Sequence, residues 1–240
     1  MKYLGSKNRI AKHILPVMLE EAKKHNISKW VEPFVGGGNI IDKVPDSFTK
    51  IGSDVNPHTI AALIAVRDHI DKMPKSVSEE EYKALKGTPA EPISSWIRFV
   101  CSFSGKFENG YAREKGSDNH TFVELGFKNA QKQSPNLQKV VLTCKDYKHW
   151  SFLENTLIYC DPPYKNTTSY KTGAFNHDEF WDWVRKMSGQ NNLVFVSEYQ
   201  APADFVCVWS GEVKTNLASN RKQGFVATEK LFKWIYYELL

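Results

Sequence analysis

The sequence is poor in the features that mark disulfide-rich, zinc-binding and membrane proteins. Its 240 residues include four cysteines, no two of which form a Cys-x-x-Cys pair. This spacing excludes a disulfide framework and a zinc cluster, and the seven histidines also lack metal-site spacing. Cys144 and Cys160 lie in apolar runs, so we expect both to be buried thiols.

Long apolar segments and a strong charge imbalance are also missing. There is no apolar signal-peptide stretch and no apolar run of about 18 residues, so we expect a soluble, cytoplasmic protein without a membrane or metal partner. The net charge is +5, from 32 basic and 27 acidic residues. This mild excess is compatible with a polyanionic partner but does not require one.

Strand and helix patterns alternate in two parts of the chain. Predicted strands cover Trp30–Val35, Lys50–Val55, Val140–Thr143, Leu157–Cys160 and Leu193–Ser197, with helices at 10–25, 57–69 and 177–187, and a late strand pair at Phe205–Thr215 and Glu229–Tyr236. Such alternation is typical of an α/β fold with a parallel sheet. Residues 73–138, richer in charge, Gly, Ser and Asn, are predicted to form an insertion with helices at 78–85 and 93–103, so that 1–72 and 139–240 make the main domain.

A triple glycine follows the first predicted strand, in the segment VEPFVGGGN from Val31 to Asn39. Glycines there allow positive φ and a close approach to a ligand. Ile41 stands where the Gly-x-Gly-x-x-Gly fingerprint of dinucleotide sites requires its last glycine. Asp54 ends the second strand 18 residues after Gly36, at the spacing of an acid that binds a ribose diol. The two features favour a nucleoside cofactor without a pyrophosphate, such as S-adenosylmethionine, although a plain turn and a helix-capping acid would also explain them.

A second unusual segment, LIYCDPPYKN, runs from a buried strand into an acid, two prolines and a tyrosine. The prolines stiffen the backbone and remove two donors. Asp161 and the Pro162 carbonyl are therefore rigidly held acceptors that suit an exocyclic amino group. Tyr164 supplies a ring on which a base can stack.

Four segments together resemble the Dam-like, D12-class (α-group) adenine-N6 DNA methyltransferases. They are MKYLGSKNRI, VEPFVGGGN, GSDVNP and DPPY, in the order of that group. The resemblance implies an α/β fold with a Rossmann-like S-adenosylmethionine-dependent methyltransferase sheet. It also implies that 1–72 and 139–240 form the catalytic domain and that 73–138 form an inserted, mostly helical target-recognition subdomain.

The resemblance, with the motif chemistry, assigns the candidate residues. The catalytic set is Asp161, Pro162 and Tyr164; the set for S-adenosyl-L-methionine is Tyr3, Lys7, Phe34, Gly36, Gly38, Asp54, Asp146 and Asp161. Lys7 would pair with the methionine carboxylate, and Asp146 would accept from the adenine amino group of the cofactor. Double-stranded DNA is the expected partner, with phosphate contacts from Arg98, Lys106, Arg113, Lys115, Lys165, Lys171, Arg221 and Lys222. For each of these basic residues taken singly, a solvated surface is the better explanation.

Other functions remain open at this point. Cytosine-N4 methylation would use the same acceptors, although serine is commoner than Asp161 in that class. A nucleotide-binding oxidoreductase and a noncatalytic DNA-binding regulator are the rivals from other classes. The recognised DNA sequence, the oligomeric state and a companion restriction endonuclease are left undecided.

Overall fold

A computed structural model describes residues 1–113, 120–164, 175–215 and 225–235. The α-helices are α1 (Ala11–Lys24), α2 (Pro57–Asp68), α3 (Glu79–Ala84), α4 (Pro92–Val100), α5 (His120–Leu137) and α6 (His177–Gly189). The strands are β1 (Lys29–Glu32), β2 (Thr49–Asp54), β3 (Val140–Cys144), β4 (Leu157–Cys160), β5 (Leu193–Glu198), β6 (Phe205–Thr215) and β7 (Phe225–Trp234). Short 3-10 helices occur at Lys7–Arg9, Ile41–Lys43, Ile70–Lys72, Phe103–Gly105 and Tyr147–His149.

The described residues form a mixed α/β protein with a seven-stranded sheet. Helices alternate with strands along the chain. The strand pairs β1–β4, β2–β3 and β4–β5 are all parallel. This arrangement confirms the predicted α/β class with a parallel sheet. The chain divides into two compact units, one of 1–9 with 35–147 and one of 10–34 with 148–240.

The first unit contains the parallel pair β2 and β3, in which Asp54 lies opposite Cys144. Helix α2 packs on this pair and also contacts α4 and α5. It begins with Pro57 in its first turn, and the Asn56 side chain caps it by accepting from the His58 amide at 3.0 Å. Because β2 runs directly into this capped helix, the backbone around Asp54 is fixed on both sides.

The second unit has its strands in the order β1-β4-β5-β7-β6. Strands β1, β4 and β5 are parallel, and β7 pairs antiparallel with β5 and β6. All four residues of β4 are buried, as expected for an apolar strand with neighbours on both sides. Helix α6 contacts β5 and β7 through a stripe of buried aromatic and aliphatic side chains.

Most predicted elements are present, but there are differences. The last strand begins at Phe225, earlier than predicted, and the helix expected at 93–103 ends at Val100. Helix α5 was not predicted, because its apolar positions are separated by Gly126, Pro135 and many polar residues. The burial of Cys160 is confirmed, whereas that of Cys144 is wrong: it lies at the end of β3 and is exposed.

The helices within the described ranges include none that is both long enough and apolar enough to cross a membrane.

Candidate active site

The glycine segment forms a tight turn in the first unit. Gly36 and Gly38 have φ angles of 47° and 66°, which favour glycine strongly. Gly37 has no room for a side chain, since a Cβ there would lie 2.7 Å from Tyr3 Cβ and 2.9 Å from the Met1 carbonyl oxygen. The turn is closed by the Gly38 amide, which donates to the Val35 carbonyl at 2.8 Å. The predicted glycine turn is therefore built as expected, and each glycine has a physical reason.

The Asp54 carboxylate lies directly against this turn. Its Oδ2 accepts from the Gly36 amide at 3.2 Å, and its Oδ1 accepts from the Asn56 amide at 2.9 Å. Burial raises the pKa of Asp54 to about 6, although both hydrogen bonds oppose that shift. Gly36 and Asp54, 18 positions apart in the sequence, are thus hydrogen-bonded to each other. The carboxylate of Asp54 has further lone pairs that can accept from a ligand.

Two candidates from the N-terminal segment lie in the same unit. The Tyr3 ring packs over Gly36, where a Cβ would be 3.0 Å from Tyr3 Cε1, and its centroid is 5.4 Å from that of Phe99. The Lys7 side chain is buried, and its Nζ donates to the Gly5 carbonyl at 3.1 Å. Tyr3 therefore packs against the glycine turn, and Lys7 is a buried cation within the same unit.

Asp146 follows the end of β3 and is half-buried. The neighbouring Lys145 amide donates to the Asp54 carbonyl at 3.1 Å. This backbone bond brings the predicted adenine-binding acid close in space to the predicted ribose-binding acid.

The Asp-Pro-Pro-Tyr segment lies in the second unit, directly after β4. Asp161 is half-buried and Pro162 is buried. The Tyr164 hydroxyl donates to Glu229 Oε2 at 2.6 Å, and the Tyr164 ring meets Tyr199 edge-on with centroids 4.6 Å apart. Burial, followed by the negative charges of Asp161 and Glu229, keeps the pKa of the Tyr164 phenol well above its ordinary value. The tyrosine is therefore neutral and held in orientation from two sides.

Phe34, a predicted cofactor contact, belongs to this second unit. Its ring packs edge-on against Phe175 and Phe180, with centroid distances of 5.9 and 5.7 Å. It therefore forms part of an aromatic cluster.

Three residues that contact the motifs were missed by sequence reasoning. Gln133 in α5 binds the glycine turn, whereas Glu229 in β7 and Tyr199 after β5 hold Tyr164. No motif marks them, because each belongs to an element remote in sequence from the residue it contacts.

Arg98, a predicted phosphate contact, is instead a structural residue. It is 2% exposed. It donates to Glu108 Oε1 at 2.6 Å and to the Thr88 carbonyl at 2.9 Å, and its guanidinium lies 4.5 Å from the Phe107 ring centroid. Because these contacts enclose the side chain, its location argues against a contact with DNA.

The other basic candidates differ in location. Lys106 is half-buried, whereas Arg113 is exposed and its Nε donates to Glu79 at 2.9 Å. The remaining candidates, Lys115, Lys165, Lys171, Arg221 and Lys222, lie outside the described residues. Within the described ranges, no group of three or more His, Cys, Asp or Glu side chains is placed to hold a metal ion.

Comparison with known families supplies the deciding observation. Residues 3–91 match the model of the D12 class N6 adenine-specific DNA methyltransferases. The predicted resemblance is confirmed. The matched segment includes the glycine turn and Asp54, and the match also confirms the predicted enzyme class, an adenine-specific DNA methyltransferase.

Individual relatives have low sequence identity to this chain. The type II methyltransferase M.MjaIII of Methanocaldococcus jannaschii is 24% identical over 222 residues, which cover 75% of each chain. M.FokI of Planomicrobium okeanokoites is 25% identical over 223 residues, and the match spans 77% of this chain but 31% of M.FokI. Among solved structures, the rRNA methyltransferase aviRa from Streptomyces viridochromogenes has a TM-score of 0.47 at 12% identity, with 97% of this chain and 86% of that chain covered.

Proposed function

We propose that this DNA methyltransferase transfers a methyl group from S-adenosyl-L-methionine to N6 of an adenine that has been flipped out of duplex DNA. The observation that carries the proposal is the match of residues 3–91 to the D12 class. Flipping is part of the proposal because a base inside the stack is out of reach of a bound cofactor; extruding it costs a few kcal/mol.

The residues of the first unit fit the cofactor. The glycine turn has a backbone with positive φ at Gly36 and Gly38, and Asp54 presents a buried carboxylate beside it. We assign the ribose hydroxyls to Asp54, the adenine amino group to Asp146, and the methionine carboxylate to Lys7. Tyr3, Gly36 and Gly38 are assigned to the cofactor as well, and Phe34 and Asp161 of the second unit remain candidate cofactor residues in the proposal.

The second unit supplies the acceptors for the target base. When bound, S-adenosylmethionine provides an electrophilic methyl carbon on a sulfonium. The adenine N6 lone pair is delocalised into the ring, so N6 is a poor nucleophile. Hydrogen bonds from N6 to Asp161 and to the Pro162 carbonyl favour a tetrahedral nitrogen with a localised lone pair. Those bonds strengthen as positive charge develops on N6, so they stabilise the transition state more than the ground state.

Tyr164 has a binding role in the proposal. Its ring stacks on the extruded base and recovers part of the cost of unstacking, about 1–3 kcal/mol per base. The contacts with Glu229 and Tyr199 restrict its rotation before the base arrives, so less entropy is lost on binding.

The proposal keeps residues 73–138 as the target-recognition subdomain, with 1–72 and 139–240 as the catalytic domain. Sequence readout would come from side chains that reach base edges in the groove.

Modified-base sequencing tests the proposal in cells. DNA from a methylation-deficient host that expresses the protein should contain N6-methyladenine in one short sequence context. The same host expressing Asp161→Ala should not. N4-methylcytosine in place of N6-methyladenine would establish the alternative base, and unmodified DNA from well-expressed, folded protein would reject the function.

A further inference from the structure

One buried amide makes an unusual number of contacts with the glycine turn. Gln133 lies in α5 and is 5% exposed. Its Nε2 lies 3.0 Å from each of three acceptor oxygens, the Gly37 carbonyl, the Gly38 carbonyl and Asp42 Oδ2, which share its two hydrogens. Its amide oxygen accepts from the amino nitrogen of Met1. A single side chain therefore connects two successive carbonyls of the turn with Asp42 and Met1.

These bonds act on the conformation of the turn itself. Each peptide unit is planar, so fixing the carbonyls of Gly37 and Gly38 also fixes the amides that follow them. Gly38 has a φ of 66°, and a Cβ there would be 3.4 Å from Gln133 Nε2, so the side chain packs directly on the turn. At the other end, Asp54 binds the Gly36 amide. The turn is held from both ends by side chains from different elements.

We propose that Gln133 is a positioning residue for the cofactor: it holds the glycine turn in the shape that accepts the nucleoside and methionine parts of S-adenosylmethionine. This inference rests on the proposed function. Gln133 does not touch the cofactor in this account and acts only through Gly37 and Gly38. A purely structural amide would stabilise the fold without changing cofactor affinity, so the two roles give different measurements.

Gln138 offers a matched control. It directly follows the end of α5, and its Nε2 donates to the Arg67 carbonyl at 2.7 Å and to the Ser134 carbonyl at 3.2 Å. It therefore has the same side chain bonded to backbone oxygens, but it does not contact the glycine turn.

The test compares Gln133→Met with Gln138→Met by isothermal titration of the full chain with S-adenosylhomocysteine, well below both melting temperatures. Gln133→Met removes one donor from each of the Gly37 and Gly38 carbonyls, which keep only the Met1 amino nitrogen at 2.9 Å and the Asp42 amide at 3.3 Å, respectively, among the described bonds. The loss of two hydrogen bonds should raise the dissociation constant about tenfold, while Gln138→Met stays within about twofold. At saturating cofactor, methylation by Gln133→Met should approach the wild-type kcat, so the loss appears in KM for the cofactor. Wild-type affinity in folded Gln133→Met would overturn the inference.

Two further measurements keep the result interpretable. Gln133→Glu retains the side-chain shape but removes the donors, and it should also lose affinity. If neither variant folds, the side-chain amide resonance of Gln133 in ¹⁵N-labelled wild-type protein should shift on addition of S-adenosylhomocysteine, and an unshifted resonance would reject the role. A wild-type protein that does not bind this ligand at all would instead reject the proposed function.

Discussion

The two units present their candidate residues by different means. In the first unit, the candidate residues are held by backbone geometry: glycines with positive φ, amides bound to Asp54, and carbonyls bound to Gln133. In the second unit, it rests on a proline-stiffened segment and on rings that orient one another, such as Tyr164 against Tyr199. In the proposed reaction the first unit supplies Asp54, Asp146 and Lys7 to the cofactor, and the second supplies Asp161, Pro162 and Tyr164 to the base, with Phe34 and Asp161 also kept as cofactor residues.

The largest expected effect is in the second unit, at Asp161. Asp161→Ala removes an acceptor that strengthens in the transition state, so kcat should fall by at least about 10²–10³-fold, while binding of S-adenosylhomocysteine is partly kept. Single-turnover transfer of tritiated methyl to DNA measures the rate.

Asp182→Ala is the control, since that side chain is 77% exposed and only pairs with Arg185. A near wild-type rate for Asp161→Ala would remove the second unit from the chemistry.

Arg98 tests whether a basic residue of the first unit serves the fold or the DNA. Arg98→Met removes the buried guanidinium that pairs with Glu108 and donates to the Thr88 carbonyl, so the free energy of unfolding should fall by about 3 kcal/mol. The salt dependence of DNA binding should not change. Urea denaturation measures the first quantity and fluorescence anisotropy the second.

Arg113→Met, at a solvent-screened pair with Glu79, should lower the free energy of unfolding much less than Arg98→Met does. If Arg98→Met instead weakened the salt dependence of DNA binding and left the free energy of unfolding unchanged, the structural role assigned to Arg98 would be wrong.

Tyr164 distinguishes base binding from cofactor binding within the second unit. Tyr164→Ala should weaken the complex with substrate DNA by about 1–3 kcal/mol because the stacking surface is lost, and should leave S-adenosylhomocysteine affinity nearly unchanged. Competition binding with DNA substrate measures the first effect and calorimetry the second.

Tyr164→Phe keeps the ring and removes the hydroxyl that donates to Glu229, so its loss of affinity for substrate DNA should be smaller, about 0.5–1.5 kcal/mol. Equal losses in DNA and cofactor affinity for Tyr164→Ala would contradict the proposed separation of roles.

The smallest effect is a pH dependence that belongs to the first unit. The pKa of Asp54 is raised to about 6 by burial, so its carboxylate becomes protonated as pH falls through 6 and accepts less well from ribose hydroxyls. Affinity for S-adenosylhomocysteine should therefore be constant above pH 7 and decrease below pH 6. The same raised pKa means that the folded state binds the proton more tightly than the unfolded state, so this group's contribution to stability decreases as pH rises from about 4 to 6.

Calorimetric titrations from pH 5 to 8 check this prediction, with Asp54→Asn as the comparison. The variant should bind weakly at every pH and lack the transition. The same transition in Asp54→Asn would assign it to another group.

Local motifs predicted much of this architecture. The spacing from Gly36 to Asp54 indicated a glycine turn beside an acid, and the two are hydrogen-bonded. The fully apolar LIYC segment indicated a buried strand, and β4 is buried at every position. Such features depend on a few neighbouring residues and on the parallel arrangement of strands, so sequence carries them directly.

Features that depend on distant elements were not predictable. Nothing near Gln133 marks it as a partner of Gly37, because α5 has a weak apolar pattern and lies about 95 residues away. Arg98 looks like a surface cation in sequence, and only the packing of Phe107 and Glu108 around it shows otherwise. Similarly, the Cys144 side chain lies in an apolar run but at a strand end, where it is exposed.

The most direct test of the central claim is methyl transfer by the purified chain. Incubation with S-adenosylmethionine labelled in the methyl group and with unmethylated genomic DNA, followed by nucleoside analysis, should yield labelled N6-methyldeoxyadenosine that Asp161→Ala fails to form. Folded protein that binds the cofactor and leaves all DNA unlabelled, over many sequences, would contradict the account.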